Sequence, residues 1–144
     1  MRYAYPARIA RSAHGDWVVS FRDVPEALSG ADTFEEALAL AQDCLVAGLG
    51  CHVDGRRPRP IPRPSRPRPD EHPIAVPPLV AAKLALHQAM RDQGLSAASL
   101  AARAGMAETA LRRLLDLDHR SHIETVDALL RQLGRRVELV VETG

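Results

Sequence analysis

Between Arg56 and Pro78 the chain carries nine of its eleven prolines, interleaved with Arg57, Arg59, Arg63, Arg66 and Arg68. Proline lacks the backbone donor and its ring clashes with the preceding turn, so no helix crosses this stretch and extended polyproline geometry is favoured. The stretch divides the 144 residues into a first module over residues 1–55, a Pro/Arg-rich linker over 56–78 and a second module over 79–144. As a tether it reaches up to roughly 3 Å per residue, which keeps the modules linked but apart. Part of it, near Ile61 or from Ile74 to Val76, can add an edge strand to a sheet in the first module. Each module can bury only a small core, and a large enzyme core is excluded.

Charge follows the same division. Residues 1–55 hold four Arg against eight acids, a net −4; residues 56–72 hold six Arg against Asp70 and Glu71, a net +4; residues 73–144 hold nine basic against eight acidic residues, a net +1. An acidic head, a basic tether and a mixed tail suit a basic protein partner, a polyanion and a sequence reader respectively. No apolar stretch approaches the roughly 20 residues of a membrane span, and no N-terminal segment has the pattern of a secretion signal. A soluble, cytoplasmic protein without membrane contact is expected. The two cysteines, Cys44 and Cys51, fall on one helix face two turns apart, too far to bridge, and are expected to be reduced core thiols rather than metal ligands.

The first module has a strand pattern. Tyr3, Tyr5, Ala7 and Ile9 alternate with less apolar neighbours, as do Trp17, Val19 and Phe21, and Ser12 to Asp16 supply a turn with Gly15 free to take positive φ. Pro6 predicts an edge or a bulge for the first strand. A short third strand is expected over Ala27–Ser29, ended by Gly30. Thr33 and Glu36 form a capping-box pair that starts a helix at Phe34, with Phe34, Leu38, Ala41, Leu45 and Leu49 as its buried stripe and its end near Gly50 or Cys51. The module therefore has a β-β-β-α layout.

After Pro78 the period becomes helical. Leu79, Ala82, Leu86, Ala89 and Met90 make one stripe, stopped at Gly94. Ser96 caps a short helix to about Ala104, Gly105 turns the chain, and Leu111, Leu114 and Leu115 define a third helix. Ser121 and Glu124 form a second capping box for a helix bearing Ile123, Val126, Leu130 and Leu133. Val137, Leu139 and Val141 then alternate with Glu138 and Glu142 as a final strand. A lone strand needs a ladder partner, either the first module's sheet or another copy of the chain, and pairing across a dimer is favoured because operator-binding helix pairs usually act symmetrically. The fold class is α+β, with an all-α tail ending in a short strand.

Ala97 to Asp116 fits a helix-turn-helix: small Ala101 where the helices touch, Gly105 at the tight turn, Leu111 and Leu114 plugging the second helix into the core. A bundle that merely packs is the bland alternative. The candidate DNA-binding residues are Ser96 and Ser99 at the start of the first helix, Glu108, Thr109, Arg112 and Arg113 on the second, and His119 and Arg120 beyond it. For the arginines, a solvated face with weak pairing to Asp116 is an equally open reading. Asp16, Asp23 and Asp43 fall on different elements and the six histidines are dispersed, so neither a two-metal carboxylate site nor an activated nucleophile is assembled. No catalysis, no metal and no cofactor is expected.

RYAYPARI followed by DWVVSFRDVPEALSGADTFEEALALA, within Met1 to Gly55, resembles the HicB antitoxin module, and residues 77–134 resemble the helix-turn-helix tail of the Xre/Cro type that some members carry. Together they cover nearly the whole chain. The resemblance implies a partial RNase H-like fold for the first module, which neutralises a small basic mRNA-cleaving ribonuclease, HicA, by covering its RNA-binding surface, and a tail that represses the shared operon. Asp16, Asp23, Glu26, Asp32, Glu35 and Glu36 are then the acids available to oppose a basic toxin. The chain departs from the family at Glu26, where relatives tend to have Gly, and at Met106, Ala107 and Glu108, where a Ser or Thr cap and a polar or basic residue are usual. Glu108 is expected to stabilise its helix start. The competing functions are a stand-alone transcription regulator whose first module dimerises or senses a ligand, and nonspecific nucleic-acid binding through the arginine-rich linker.

Overall fold

The computed structural model describes residues 1–54 and 58–143. The expected module boundary at residue 55, with Arg56 and Arg57, lies outside the described residues. The protein is mixed α+β and divides into two compact units, Met1–Pro77 and Pro78–Gly144.

In the first unit β1 (Ala4–Arg11), β2 (Trp17–Phe21), β3 (Leu28–Ala31) and β4 (His72–Ala75) form one sheet in the order β3-β2-β1-β4, antiparallel throughout. Alternation puts Tyr5, Ala7, Val19 and Phe21 on the face covered by α1 (Phe34–Val53), and all four are buried. β1 lies inside the sheet rather than at the edge expected from Pro6. The ladder tolerates this because Pro6 faces Pro73, so the two residues lacking a donor share one position, while pairing to β2 ends at Ala7 opposite Phe21. β3 starts one residue later than expected and ends two later, running through the Gly30 expected to stop it.

α1 starts where Thr33 accepts from the Glu36 amide at 3.2 Å; the expected box is completed only in this half, because the Glu36 carboxylate accepts from the Asp32 amide at 3.3 Å, one residue before the cap. The helix runs to Val53, past the expected end, and its inward stripe is Ala37, Ala41, Leu45, Gly48, Leu49, His52 and Val53; Leu38 is exposed. The stripe is rotated because small residues are needed inside. A Cβ on Gly48 would lie 2.7 Å from the Ala27 Cβ and 2.9 Å from its amide nitrogen, so only glycine lets α1 approach the β2–β3 connection. Cys44 is half-buried and Cys51 exposed, so Cys51 is not a core thiol.

The largest difference concerns the proline stretch. Described residues 58–77 are not a free tether; they strap the sheet unit. Ile61 is buried, the Tyr5 hydroxyl donates to the Pro62 carbonyl at 2.7 Å, the Arg59 amide donates to the His52 carbonyl at 2.7 Å, and His72–Ala75 becomes the edge strand beside β1. Polyproline geometry leaves backbone carbonyls unused, and side chains of the sheet unit take them.

The second unit packs α2 (Pro78–Asp92), α3 (Ala97–Ala104), α4 (Glu108–Leu115) and α5 (Ile123–Gln132) around one core that includes Leu86, Leu100, Leu111, Val126 and Leu130. Ser96 caps α3 with the hydroxyl of Ser99 answering, and Gly105 ends it at φ +67°. The expected box at Ser121 and Glu124 does not form. The Ser121 hydroxyl lies 3.1 Å from His119 Nδ1 instead, and α5 begins after His122 without a side-chain cap. The expected strand over Val137–Val141 is also absent among the described residues. Past α5 the described residues of this segment have no ladder partner in the sheet, the condition under which a strand does not exist alone.

Candidate functional site

Six acids of the first unit were candidates for a basic partner, and the structure sorts them into two sets. Asp23 and Glu26 are occupied by the strap. Asp23 accepts from the Ser65 amide at 2.7 Å and from the Ser65 hydroxyl at 2.6 Å. Glu26 lies 2.8 Å from an Arg59 guanidinium nitrogen and 3.1 Å from His52 Nε2, while His52 Nδ1 faces the Pro60 carbonyl at 3.2 Å. The Glu26 carboxyl is held down at about 2, first by its own backbone amide and then by Arg59 and His52 against the cost of burial.

The second set surrounds β3, which is an edge strand. Asp16 accepts from the Ser12 hydroxyl in the β1–β2 turn, and its carboxylate lies beside Gly30. Asp32 follows β3 directly, and Glu35 and Glu36 occupy the exposed first turn of α1. Leu28, 66% exposed, sits on the same strand. Among the described residues the edge thus offers backbone groups outside the ladder, one bare leucine and four carboxylates, three within five residues and Asp16 brought in from the β1–β2 turn, a combination that suits a cationic partner surface.

In the second unit α3, the turn at Gly105 and α4 present a different set. Ser99 donates its amide to the Ser96 hydroxyl oxygen at 3.1 Å, and the Ser96 amide donates to the Ser99 hydroxyl oxygen at 2.9 Å; both residues stay exposed. Glu108 opens α4 and accepts from Arg112 at 2.6 Å one turn later. Arg112 therefore pairs with Glu108 rather than Asp116, whose carboxylate accepts from the Asp118 amide at 3.0 Å. Glu108 both faces the positive helix start and neutralises Arg112, a good helix arrangement. Thr109, Arg113, His119 and Arg120 are exposed. Ala107 precedes α4 with no side-chain cap bond.

Two side chains that the sequence reading passed over hold this surface in place. Lys83, on α2, is fully buried and donates to the carbonyls of Arg113 at 3.2 Å, Asp116 at 2.6 Å and His119 at 2.6 Å. An ammonium has three donors and all three are used. His87, one turn on, lies 2.7 Å from the Leu115 carbonyl. The signal was present in the spacing, since Lys83 falls four residues after Leu79 and three before Leu86, on the inward stripe. Glu71 was missed likewise. It accepts from Arg22 at 2.9 Å and from the Arg68 amide at 2.8 Å, and its carboxyl is lowered to about 2, chiefly by Arg22 and then by that amide.

Among the described residues no group of three or more His, Cys, Asp or Glu side chains is placed to hold a metal ion, and no helix is long and apolar enough to cross a membrane. A family model described as HicB_like antitoxin of bacterial toxin-antitoxin system matches residues 4–85. The chain is 40% identical to Antitoxin HicB 2 of Photorhabdus laumondii subsp. laumondii, over 94% of this chain and 94% of that protein. It is 36% identical to Antitoxin HicB of Pseudomonas fluorescens, over 99% and 96%, and 31% identical to Antitoxin HicB of Escherichia coli K12, over 95% and 98%.

Proposed function

The chain belongs to the HicB-like antitoxin family, and from that footing we propose that it neutralises a HicA-like mRNA-cleaving ribonuclease with its sheet unit and represses its own operon with its helical unit, acting as a homodimer or larger homo-oligomer. The observation that carries the reading is the placement of an acidic strand edge on one separately cored unit and of exposed arginines on the other. One unit gathers Asp16, Asp32, Glu35 and Glu36 around a strand edge; the other exposes Arg113 and Arg120 on and after α4. A toxin that grips RNA must be cationic, and opposed charge both speeds its capture and masks its RNA-binding surface. Asp23 and Glu26, committed to the strap, serve this indirectly by fixing the connection that leads into β3.

Two eight-residue helices, α3 and α4, joined through a left-handed Gly105 support a helix-turn-helix reading. Arg113 and Thr109 are suited to base edges or phosphates, and Ser96 and Ser99 at the α3 start to a phosphate. Glu108 and Arg112 support the helix and set its orientation. His119 and Arg120 extend the cationic surface along the loop that Lys83 holds. In this reading the sheet unit acts by covering the partner rather than by catalysis.

Co-expression tests the reading. The product of the adjacent gene should arrest growth when expressed alone, co-purify with this chain and lose its toxicity in its presence. The chain should also shift a fragment carrying its own promoter in a sequence-dependent manner. Rescue that fails while the promoter shift persists would mark a stand-alone regulator. A shift that ignores sequence and collapses with salt would mark nonspecific binding.

A further inference from the structure

The charged groups of the sheet unit divide between the two ends of its strands. At one end Asp16 precedes β2 and Asp32 follows β3, with Glu35 and Glu36 just beyond; at the other the strap crosses, tied to Asp23 after β2 and to Glu26 before β3. The two ends lie about 14 Å apart, four residue steps of a strand. That exceeds the Debye length of roughly 10 Å at 0.1 M salt, so neither end's field governs the other.

At the strap end the acids are spent inside the unit. Asp23 accepts from the Ser65 amide and hydroxyl, Glu26 pairs with Arg59, and Glu71 pairs with Arg22. The strap keeps the threefold period of polyproline geometry: Pro60, Arg63 and Arg66 are exposed, and the residues between them are buried or half-buried. Among the described residues no hydrogen bond or ion pair engages the guanidinium of Arg63 or of Arg66. Asp70, the remaining acid of the strap, sits in the turn before β4. Two bare cations thus stand on one outward row, their backbones about 9 Å apart at roughly 3.1 Å per residue.

We propose that Arg63 and Arg66 hold phosphates of duplex DNA, giving the chain a second, sequence-independent contact beside its operator. The proposal rests on the operator-binding reading above and adds the sheet unit to it. A guanidinium grips phosphate oxygens in bidentate fashion, and the two side chains are far enough apart to take separate phosphates. A row fixed to a folded unit loses less conformational entropy on binding than a free tether would. The strapped unit ends at Pro77 and α2 begins at Pro78, so a duplex held by the helical unit is the polyanion at high effective concentration around the strap. With the bare carboxylates at the far end of the strands, a cationic toxin and a duplex do not compete for one surface.

Titration of the full chain against promoter fragments at several salt concentrations tests the proposal. R63Q/R66Q should weaken binding to a long fragment roughly tenfold near 0.1 M salt and flatten the plot of log affinity against log salt by about two per chain. The effect should persist when the sequence flanking the operator is replaced, and vanish when the fragment is cut back to the operator alone. R8Q/R11Q, which removes the same charge from β1, should stay within about twofold of wild type. Since neither Arg63 nor Arg66 bonds within the described unit, R63Q/R66Q should keep the wild-type urea midpoint read by Trp17. Wild-type affinity and an unchanged salt slope for R63Q/R66Q on the long fragment, or an equal loss in R8Q/R11Q, would overturn the strap contact while leaving the operator reading intact. Loss of affinity for single-stranded RNA with none for duplex DNA would overturn it in favour of an RNA contact. A wild-type chain that binds no promoter fragment would overturn both readings.

Discussion

Lys83 spends all its donors on carbonyls at and beyond the end of α4, and burial pushes its ammonium pKa down against the opposing pull of Asp116 and Asp118. A cation is well placed there because the carbonyl end of a helix is negative. Lys83→Met keeps the volume but strands three acceptors, so it should cost the helical unit about 2–3 kcal/mol. Amide exchange in α2 and α4 should report the loss. Fluorescence of Trp17, the chain's single tryptophan and a residue of the sheet, should not change its unfolding midpoint. Gly48 and Gly50 make a matched pair on α1. Gly→Ala inside a helix normally stabilises by up to about 1 kcal/mol. At Gly50 the nearest atom to a new Cβ is a carboxylate oxygen at 3.7 Å, and Gly50→Ala should follow that rule. At Gly48 the Ala27 backbone is in the way, and Gly48→Ala should instead lower stability by about 1–2 kcal/mol. Urea unfolding followed by Trp17 separates the two signs.

At the scale of elements, the strap over residues 58–77 makes its own prediction. Glu26 and Glu71 titrate at about 2 in the folded unit against an ordinary 4.5. Folded values below unfolded ones mean that their contribution is fully present above pH 4.5 and is lost as pH falls from there towards 2. The sheet unit should weaken across that window, and Glu71→Gln should flatten the fall while lowering stability at neutral pH; an unchanged pH slope in the variant would contradict the latch. The strap was only half legible in the sequence. Proline density excludes a helix, and Ile74–Val76 was marked as strand-forming, but Arg22 and Glu71 lie 49 residues apart and Asp23 and Ser65 42 apart. No local pattern announces such pairs. Local chemistry served better at Thr33, whose hydroxyl caps α1 as the spacing requires while Glu36 answers one residue early on Asp32, and misled at Ser121, whose hydroxyl lies against His119 instead of capping α5. In the second unit the stripe from Leu79 to Met90 and the glycine at 105 were readable because a 3.6-residue period and a left-handed turn are local properties. The inward position of Lys83 was readable in the same spacing but its role was not, since a charged residue inside that stripe acquires its meaning only from carbonyls 30 to 36 residues away.

For the whole molecule, two small cores carry surfaces of different charge, and the proposed antitoxin needs both. Each surface rests on a device remote from it in sequence: the β3 edge on the strap held by Asp23, Glu26 and Arg22, and α4 on Lys83. Because the units have separate cores, damage to one surface should leave the other working. The most direct measurement scores growth rescue and promoter shift side by side for two full-length variants. D32K/E35K should lose rescue of cells making the adjacent toxin yet bind the promoter with near wild-type affinity, whereas R113A/R120A should bind the promoter at least tenfold more weakly yet still rescue growth. Equal damage to both activities in either variant, with circular dichroism showing the chain still folded, would contradict the division of labour.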